Sequence, residues 1–224
     1  MRGRPISTVL QILGAELTLL PEKALYIASA KSLLVSDVHL GKSETFQRFG
    51  IPVPSQVNRE TLSRLRWICD RTQPENLWIL GDLFHAREGI VDEVLDGWLA
   101  FLNDTQVNAQ LIVGNHDRRL LELLEQLSIC CFTEAVQVQD MVFSHEPHPS
   151  TAQLNICGHV HPVVRLSGGG DRLRLPCFFW EADQRRLTLP AFGGFTGGYE
   201  MRLRPNTIAY AIAEDQVVAF KGLP

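Results

Sequence analysis

Five short blocks of carboxylate, amide and imidazole side chains follow one another along the chain. They are Asp37-Val38-His39, Gly81-Asp82, Gly114-Asn115-His116-Asp117, His145 and Gly158-His159-Val160-His161. Each stands close behind an apolar run. Carboxylate oxygen, amide oxygen and imidazole nitrogen make a mixed donor set that suits two divalent cations held side by side. Two such ions about 3.5–4 Å apart can clamp a phosphate and generate a hydroxide between them. The pair needs a bridging anion, and a carboxylate, with two oxygens and one negative charge, is the natural bridge. Glycines at 81, 114 and 158 let the backbone turn sharply beside a metal or a phosphate.

Apolar patterning shows which elements must present these residues. Residues 16–20 and 24–28 read as short strands separated by a turn at Pro21, and Leu33-Leu34-Val35 as a buried strand that delivers Asp37 and His39 at its exit. A helix is expected from about Ser55 to Arg71, with Leu62, Leu65, Ile68 and Cys69 on one face and Pro74 beyond its end. The strand 77–80 leads to Asp82, a second helix carries Val94, Leu95, Trp98, Leu99 and Leu102, and the strand 111–113 leads to Asn115. Leu120, Leu123, Leu124 and Leu127 predict a third helix. From there the pattern turns to strands, at 141–143, 154–157, 177–180, 186–189, 207–213 and 217–220. Gly168-Gly169-Gly170 reads as a loop tip and Gly193 to Gly198 as a second glycine-rich loop. A βα half followed by a strand-rich half predicts an α/β fold of two packed mixed sheets flanked by helices. With no internal repeat and no long linker, residues 1–224 are expected to form one domain.

The 224 residues are 45% hydrophobic and 21% charged, enough apolar content for a core. A net charge of −4 provides no global field toward nucleic acid or anionic membranes. The odd cysteine count, with no Cys-x-x-Cys pair, predicts reduced thiols and a cytoplasmic setting, with Cys130 and Cys131 as buried fillers. No apolar stretch approaches a membrane span. Arg2, Arg4 and the apolar residues 6–13 mimic an export signal, but Gln11, Glu16, Glu22 and Lys23 spoil it.

The five blocks resemble the calcineurin-like metallophosphoesterase family over about residues 33–161. The resemblance implies the metallophosphoesterase αββα sandwich. It also implies that Asp37, His39 and His161 hold one metal, that Asn115, His145 and His159 hold the other, and that Asp82 bridges both. His116 matches the position that donates a proton to the leaving oxygen or stabilises charge on the phosphate, Asp117 would orient it, and Asn115 would also face substrate. A narrower likeness spans nearly the whole chain. Ser36 to Ser43, Gly50-Ile51-Pro52-Val53-Pro54, Ser144-His145-Glu146-Pro147 and Leu189 to Gly198 resemble the bacterial ligase-associated DNA-damage-response phosphodiesterases, the PdeM group. That likeness implies a manganese-dependent phosphodiesterase or endonuclease, with iron or zinc admissible in one position, a DNA or RNA substrate, and a functional link to a DNA ligase and a helicase.

The chain departs from the common pattern at two places. His85 stands where relatives often carry a carboxylate, and either faces substrate or only packs. Ser144 replaces the glycine usually found before the fourth-block histidine. Gly41-Lys42-Ser43 is no P-loop, because Ser36 occupies the position of its first glycine. Lys42 remains a candidate phosphate contact, with a solvated lysine as the simpler reading. Arg118 and Arg119 border the third block, where a plain surface beside a helix start is the simpler account. A phosphomonoesterase or nucleotide pyrophosphatase would use the same ligands. A partner-binding scaffold is the non-enzymatic alternative, but a scaffold is free to lose ligands and none is missing here.

Overall fold

The structure, a computed structural model, describes residues 5–54, 56–149, 152–168 and 171–222. Ser55 at the expected helix start, the loop tip Gly169-Gly170, and Arg2 and Arg4 lie outside the described residues.

The first sheet has seven strands lying in chain order: β1 (Thr8–Ile12), β2 (Ala15–Leu20), β3 (Ala24–Ile27), β4 (Ser32–Val35), β5 (Asn76–Ile79), β6 (Asn108–Ile112) and β7 (Cys130–Phe132). The first four form an antiparallel meander, and β4 to β7 run parallel. Parallel neighbours need crossovers. These are supplied by α1 (Lys42–Arg48) and α2 (Val57–Thr72), then α3 (Asp92–Thr105), then the single turn α4 (Leu121–Leu124). Alternation along the strands sorts the two faces. Leu33, Val35, Leu77, Ile79 and Leu111 meet the apolar stripes of α2 (Leu62, Leu65, Ile68) and α3 (Val94, Trp98, Phe101). Leu34, Trp78, Leu80 and Ile112 face the other way, onto Phe143, Ile156, Phe178 and Leu187 of the second sheet. α2 stops at Gln73, which takes a left-handed conformation and donates its N–H to Cys69 O just before Pro74.

The second sheet contains β8 (Val136–Val138), β9 (Met141–Ser144), β10 (Leu154–Cys157), β11 (Pro162–Gly168), β12 (Asp171–Glu181), β13 (Arg186–Thr188), β14 (Tyr199–Glu200), β15 (Thr207–Ala213) and β16 (Gln216–Lys221). Its order is β14-β11-β12-β13-β10-β9-β8, with β15 and β16 added beside β12. At its heart β9, β10 and β13 run parallel. The two mixed sheets therefore pack face to face with helices outside, as the sequence predicts. Beyond the second sheet's core face, Val164, Phe179 and Ala211 form a small separate cluster with Met201 and Leu203 packed against it.

Some expectations need correction. β1 occupies the segment that mimics an export signal. α1 has no long apolar stripe and was not anticipated. The third helix, expected over 120–127, is a 3-10 turn (Asp117–Arg119) followed only by α4. The backbone there is committed to the turn that carries Asp117, although Leu120, Leu124 and Leu127 are buried as expected. Cys130 is exposed and Cys131 half-buried, because β7 is the edge strand of its sheet. No disulfide joins the described cysteines.

Candidate metal centre

The parallel strands β4, β5 and β6 of one sheet and β9 and β10 of the other end on a common edge. All five blocks follow those ends, the usual place for a site in parallel sheets. Backbone bonds lock the loops to one another. Asp37 N–H donates to Gly81 O (3.1 Å), His39 N–H to Asp82 O (2.9 Å) and Gly158 N–H to His145 O (2.9 Å). The backbone is strained here. Asp37, His39, Asp82, His159 and His161 all have φ between 52° and 65°, which disfavours residues with a Cβ and recurs where function holds it in place. Two of the three glycines serve close approach rather than an unusual turn. A Cβ at Gly114 would overlap Asp82 Oδ1, and one at Gly158 would lie 2.6 Å from Ser36 Cβ. Gly81 alone combines positive φ (84°) with contact, against the His145 ring.

All seven residues assigned as ligands by resemblance come together. Ligand atoms of Asp37, His39 and His161 lie within 4.8 Å of one another, and so do those of Asp37, Asp82 and His145. His161 Nε2 is 3.1 Å from Asp37 Oδ1, at ion-pair distance. His145 Nδ1 donates to Leu80 O (2.9 Å), which leaves Nε2 as a lone pair. That lone pair faces Asn115 Oδ1 (3.0 Å), His159 Nδ1 (3.2 Å) and Asp82 Oδ2 (3.8 Å). Asp37 Oδ1 and His39 Nδ1 are buried with no hydrogen-bond partner. Buried acceptor atoms left without a hydrogen bond are costly unless a cation sits beside them. Oxygens and imidazoles without thiolate fit divalent ions better than a structural zinc site.

Electrostatics at Asp37 and His39 agree with this arrangement, whereas Asp82 and His161 shift toward holding a proton. Burial raises the proton affinity of Asp37, but His161, His145 and His39 outweigh it and hold its carboxyl below the ordinary value. Burial pushes His39 down to about 3, against the opposing pull of Asp37, so its ring is neutral and able to ligate. Burial raises Asp82, with His145 and the His116 N–H opposing. His161 is raised despite burial, through its contact with Asp37.

His116 lies at the mouth of the cluster. Its Nδ1 donates to His85 O (2.5 Å), and its Nε2 is 3.9 Å from Asp82 Oδ2. Asp117 therefore does not orient the His116 ring, contrary to expectation. Its buried carboxylate accepts backbone N–H groups from Asp82 (2.7 Å), Gly114 (3.0 Å) and Phe84 (3.4 Å), and so ties the second block to the third. Burial pushes its carboxyl up to about 6 despite those bonds. The His85 ring stacks on His116 (centroids 5.2 Å apart) and meets His39 edge-on (5.4 Å), which places it at the centre rather than in remote packing. Lys42, at the start of α1, is half-buried near the same rings. The second glycine loop supports the centre from the other side. Gly193 N–H donates to Asp37 O and Tyr199 N–H to His161 O, each at 3.0 Å. The carbonyls of Leu80 and His85, which set two imidazole tautomers, gave no sequence signal, since any residue supplies a carbonyl.

The model of the calcineurin-like phosphoesterase family matches residues 30–159, more than half of the chain. The crystal structure of the Pseudomonas putida nuclease MPE superposes with a TM-score of 0.83 at 32% identity, covering 96% of this chain and 100% of that one. The E. coli phosphoesterase Yfce aligns at 15% identity and a TM-score of 0.46, covering 84% of this chain and 97% of that one. A search of the curated proteins gave no match. A family match that ends at His159, a full-length structural likeness and a cluster of acceptor atoms built from five strand ends lead to one conclusion: the chain belongs to the calcineurin-like phosphoesterase family of metal-dependent hydrolases.

Proposed function

We propose that this chain is a dinuclear-metal phosphodiesterase acting on nucleic acid. The observation that carries the reading is the convergence of two buried, unpartnered acceptors, Asp37 Oδ1 and His39 Nδ1, with the carboxylate of Asp82 and the ring of His145 on the same cluster. Asp37, His39 and His161 would hold one ion, Asn115, His145 and His159 the other, and Asp82 both. Manganese is the proposed occupant, with iron or zinc admissible in one position. When bound, the ions supply positive charge against the phosphoryl oxygens and activate water.

The remaining work falls to this chain's own side chains. His116 keeps its Nδ1 proton on His85 O, so proton exchange takes place at Nε2, which faces the cluster. In its protonated form that nitrogen gives its proton to the leaving oxygen. His85 packs against the His116 ring and limits its rotation. Asn115 and Lys42 border the space a phosphate would fill. Asp117 positions the loops and touches no reacting group. The choice of a nucleic-acid diester draws on the full-length likeness to a nuclease. A DNA-repair role beside a ligase and a helicase belongs to the same reading, which takes the protein to be cytoplasmic.

The test is hydrolysis of matched bis-aryl diester and aryl monoester substrates after reconstitution with manganese, magnesium or zinc. Faster manganese-dependent turnover of the diester is expected, together with cleavage of DNA oligonucleotides. Vigorous monoester hydrolysis without diester turnover would make the protein a phosphatase instead.

A further inference from the structure

Three arginines stand beside the centre without partners. Several other exposed arginines are paired, Arg59 with Glu93, Arg66 with Asp104 and Arg165 with Glu200. Arg87, Arg118 and Arg119 are exposed and form no ion pair or side-chain hydrogen bond among the described residues. Arg87 and Arg119 line a cavity of about 510 Å³ that also contains Asn115 and His116. Both continue into an adjoining cavity of about 740 Å³, where Arg118 joins them. Glu88 lines the first and Glu122 the second, so three guanidinium groups face two carboxylates. The path runs outward from the catalytic end with the positive charge in excess, on a chain whose net charge is −4.

The segments carrying these arginines are fixed to the centre. Arg118 and Arg119 follow Asp117, whose carboxylate holds the backbone of Asp82 and Gly114, and Leu120 is buried behind them. Arg87 opens a 3-10 turn whose Gly89 packs backbone to backbone on Gly41, where a Cβ would clash. A guanidinium on an anchored backbone, held apart from internal carboxylates, suits bidentate contact with a phosphate.

Building on the proposed phosphodiesterase activity, we infer that Arg87, Arg118 and Arg119 form a subsite for the backbone phosphates flanking the scissile diester of a polynucleotide. The scissile phosphate occupies the centre, and its neighbours along the strand lie in the arginine-lined groove. The chain thereby selects a polymer over an isolated diester despite its acidic balance.

The experiment compares kcat/KM for a DNA oligonucleotide with that for a dinucleotide, which has the same scissile linkage and no flanking phosphate. It uses the manganese-loaded full chain and the triple variant Arg87→Gln/Arg118→Gln/Arg119→Gln. The ratio of oligonucleotide to dinucleotide should fall at least about tenfold in the variant, the scale of losing charged hydrogen bonds. The log–log dependence of oligonucleotide kcat/KM on salt should become shallower by about 2, or about 0.7 per contact on a single strand. If the triple variant folds poorly, as thermal melting would show, Arg119→Gln alone carries the test, with a slope change of about 0.7. An unchanged ratio and slope, with the wild type cleaving oligonucleotides, would overturn this subsite alone. Wild type that hydrolyses aryl diesters but neither nucleotide substrate would remove the nucleic-acid reading and this subsite with it.

Discussion

At the scale of single residues, the centre depends on which nitrogen of each histidine is free. Leu80 O fixes His145 with its Nε2 lone pair toward the ligand cluster, and His85 O fixes His116 with Nε2 toward Asp82. On the proposed reading the first histidine ligates and the second, partly exposed, exchanges a proton. His116→Ala should therefore keep the fold and the bound metal while turnover falls by roughly 10²–10⁴. If proton donation is its role, the loss should be smaller for a nitrophenol leaving group than for an alkyl alcohol. Equal losses on the two substrates would assign charge stabilisation instead, and equal wild-type rates would remove His116 from catalysis. Asp117 shows the other side of this scale. It follows Asn115 and His116, two proposed site residues, yet its side chain serves backbone N–H groups.

At the scale of elements, the loops after β4, β5, β6, β9 and β10 do the positioning, and their small residues are structural requirements. Gly114→Ala would press a methyl group into Asp82 Oδ1 and the Asp82 backbone N. The backbone cannot yield without moving Asp82, so metal retention and activity should fall together, with a stability loss of ~1–3 kcal/mol. Chemical denaturation and metal analysis of the variant check this, and a variant that binds metal normally would show that the loop tolerates the shift. The parallel strands β4, β5 and β6 of the first sheet were legible because their apolar runs are continuous and end in glycine or polar ligand residues. The α2 and α3 stripes were legible from 3.6-residue spacing. β1, β7, β8 and β14 were not, since short edge strands with half-exposed faces resemble loops, and β11, between β14 and β12, was missed as well. The third helix was overread because Leu120, Leu124 and Leu127 are buried by a turn and a short helix as readily as by a long one. Among the site residues, side chains converging at strand ends were legible from type and order. The backbone carbonyl partners, the true contacts of Asp117 and the arginine groove depend on loop geometry that spacing does not encode.

At the scale of the whole molecule, the two sheets enclose a common core and bring five strand ends from different parts of the chain to one edge. No helix among the described residues is long and apolar enough to cross a membrane. The same packing governs the thiols. Burial pushes Cys69, Cys157 and Cys177 up to about 12, so they stay as unreactive thiols at pH 8, whereas Cys130 is exposed. Alkylation followed by mass spectrometry should label Cys130 first and those three only on unfolding. Rapid native labelling of Cys157 would mean that the core beside Thr188 opens easily. The central claim concerns the edge itself: one carboxylate, Asp82, shared by two cation positions. The most direct measurement is the metal content per chain, by mass spectrometry, of manganese-reconstituted wild type and Asp82→Asn. Two ions in the wild type are expected, with loss of metal and collapse of turnover in the variant, because a neutral amide cannot offset two dications. Two tightly held ions with wild-type turnover in Asp82→Asn would contradict the account.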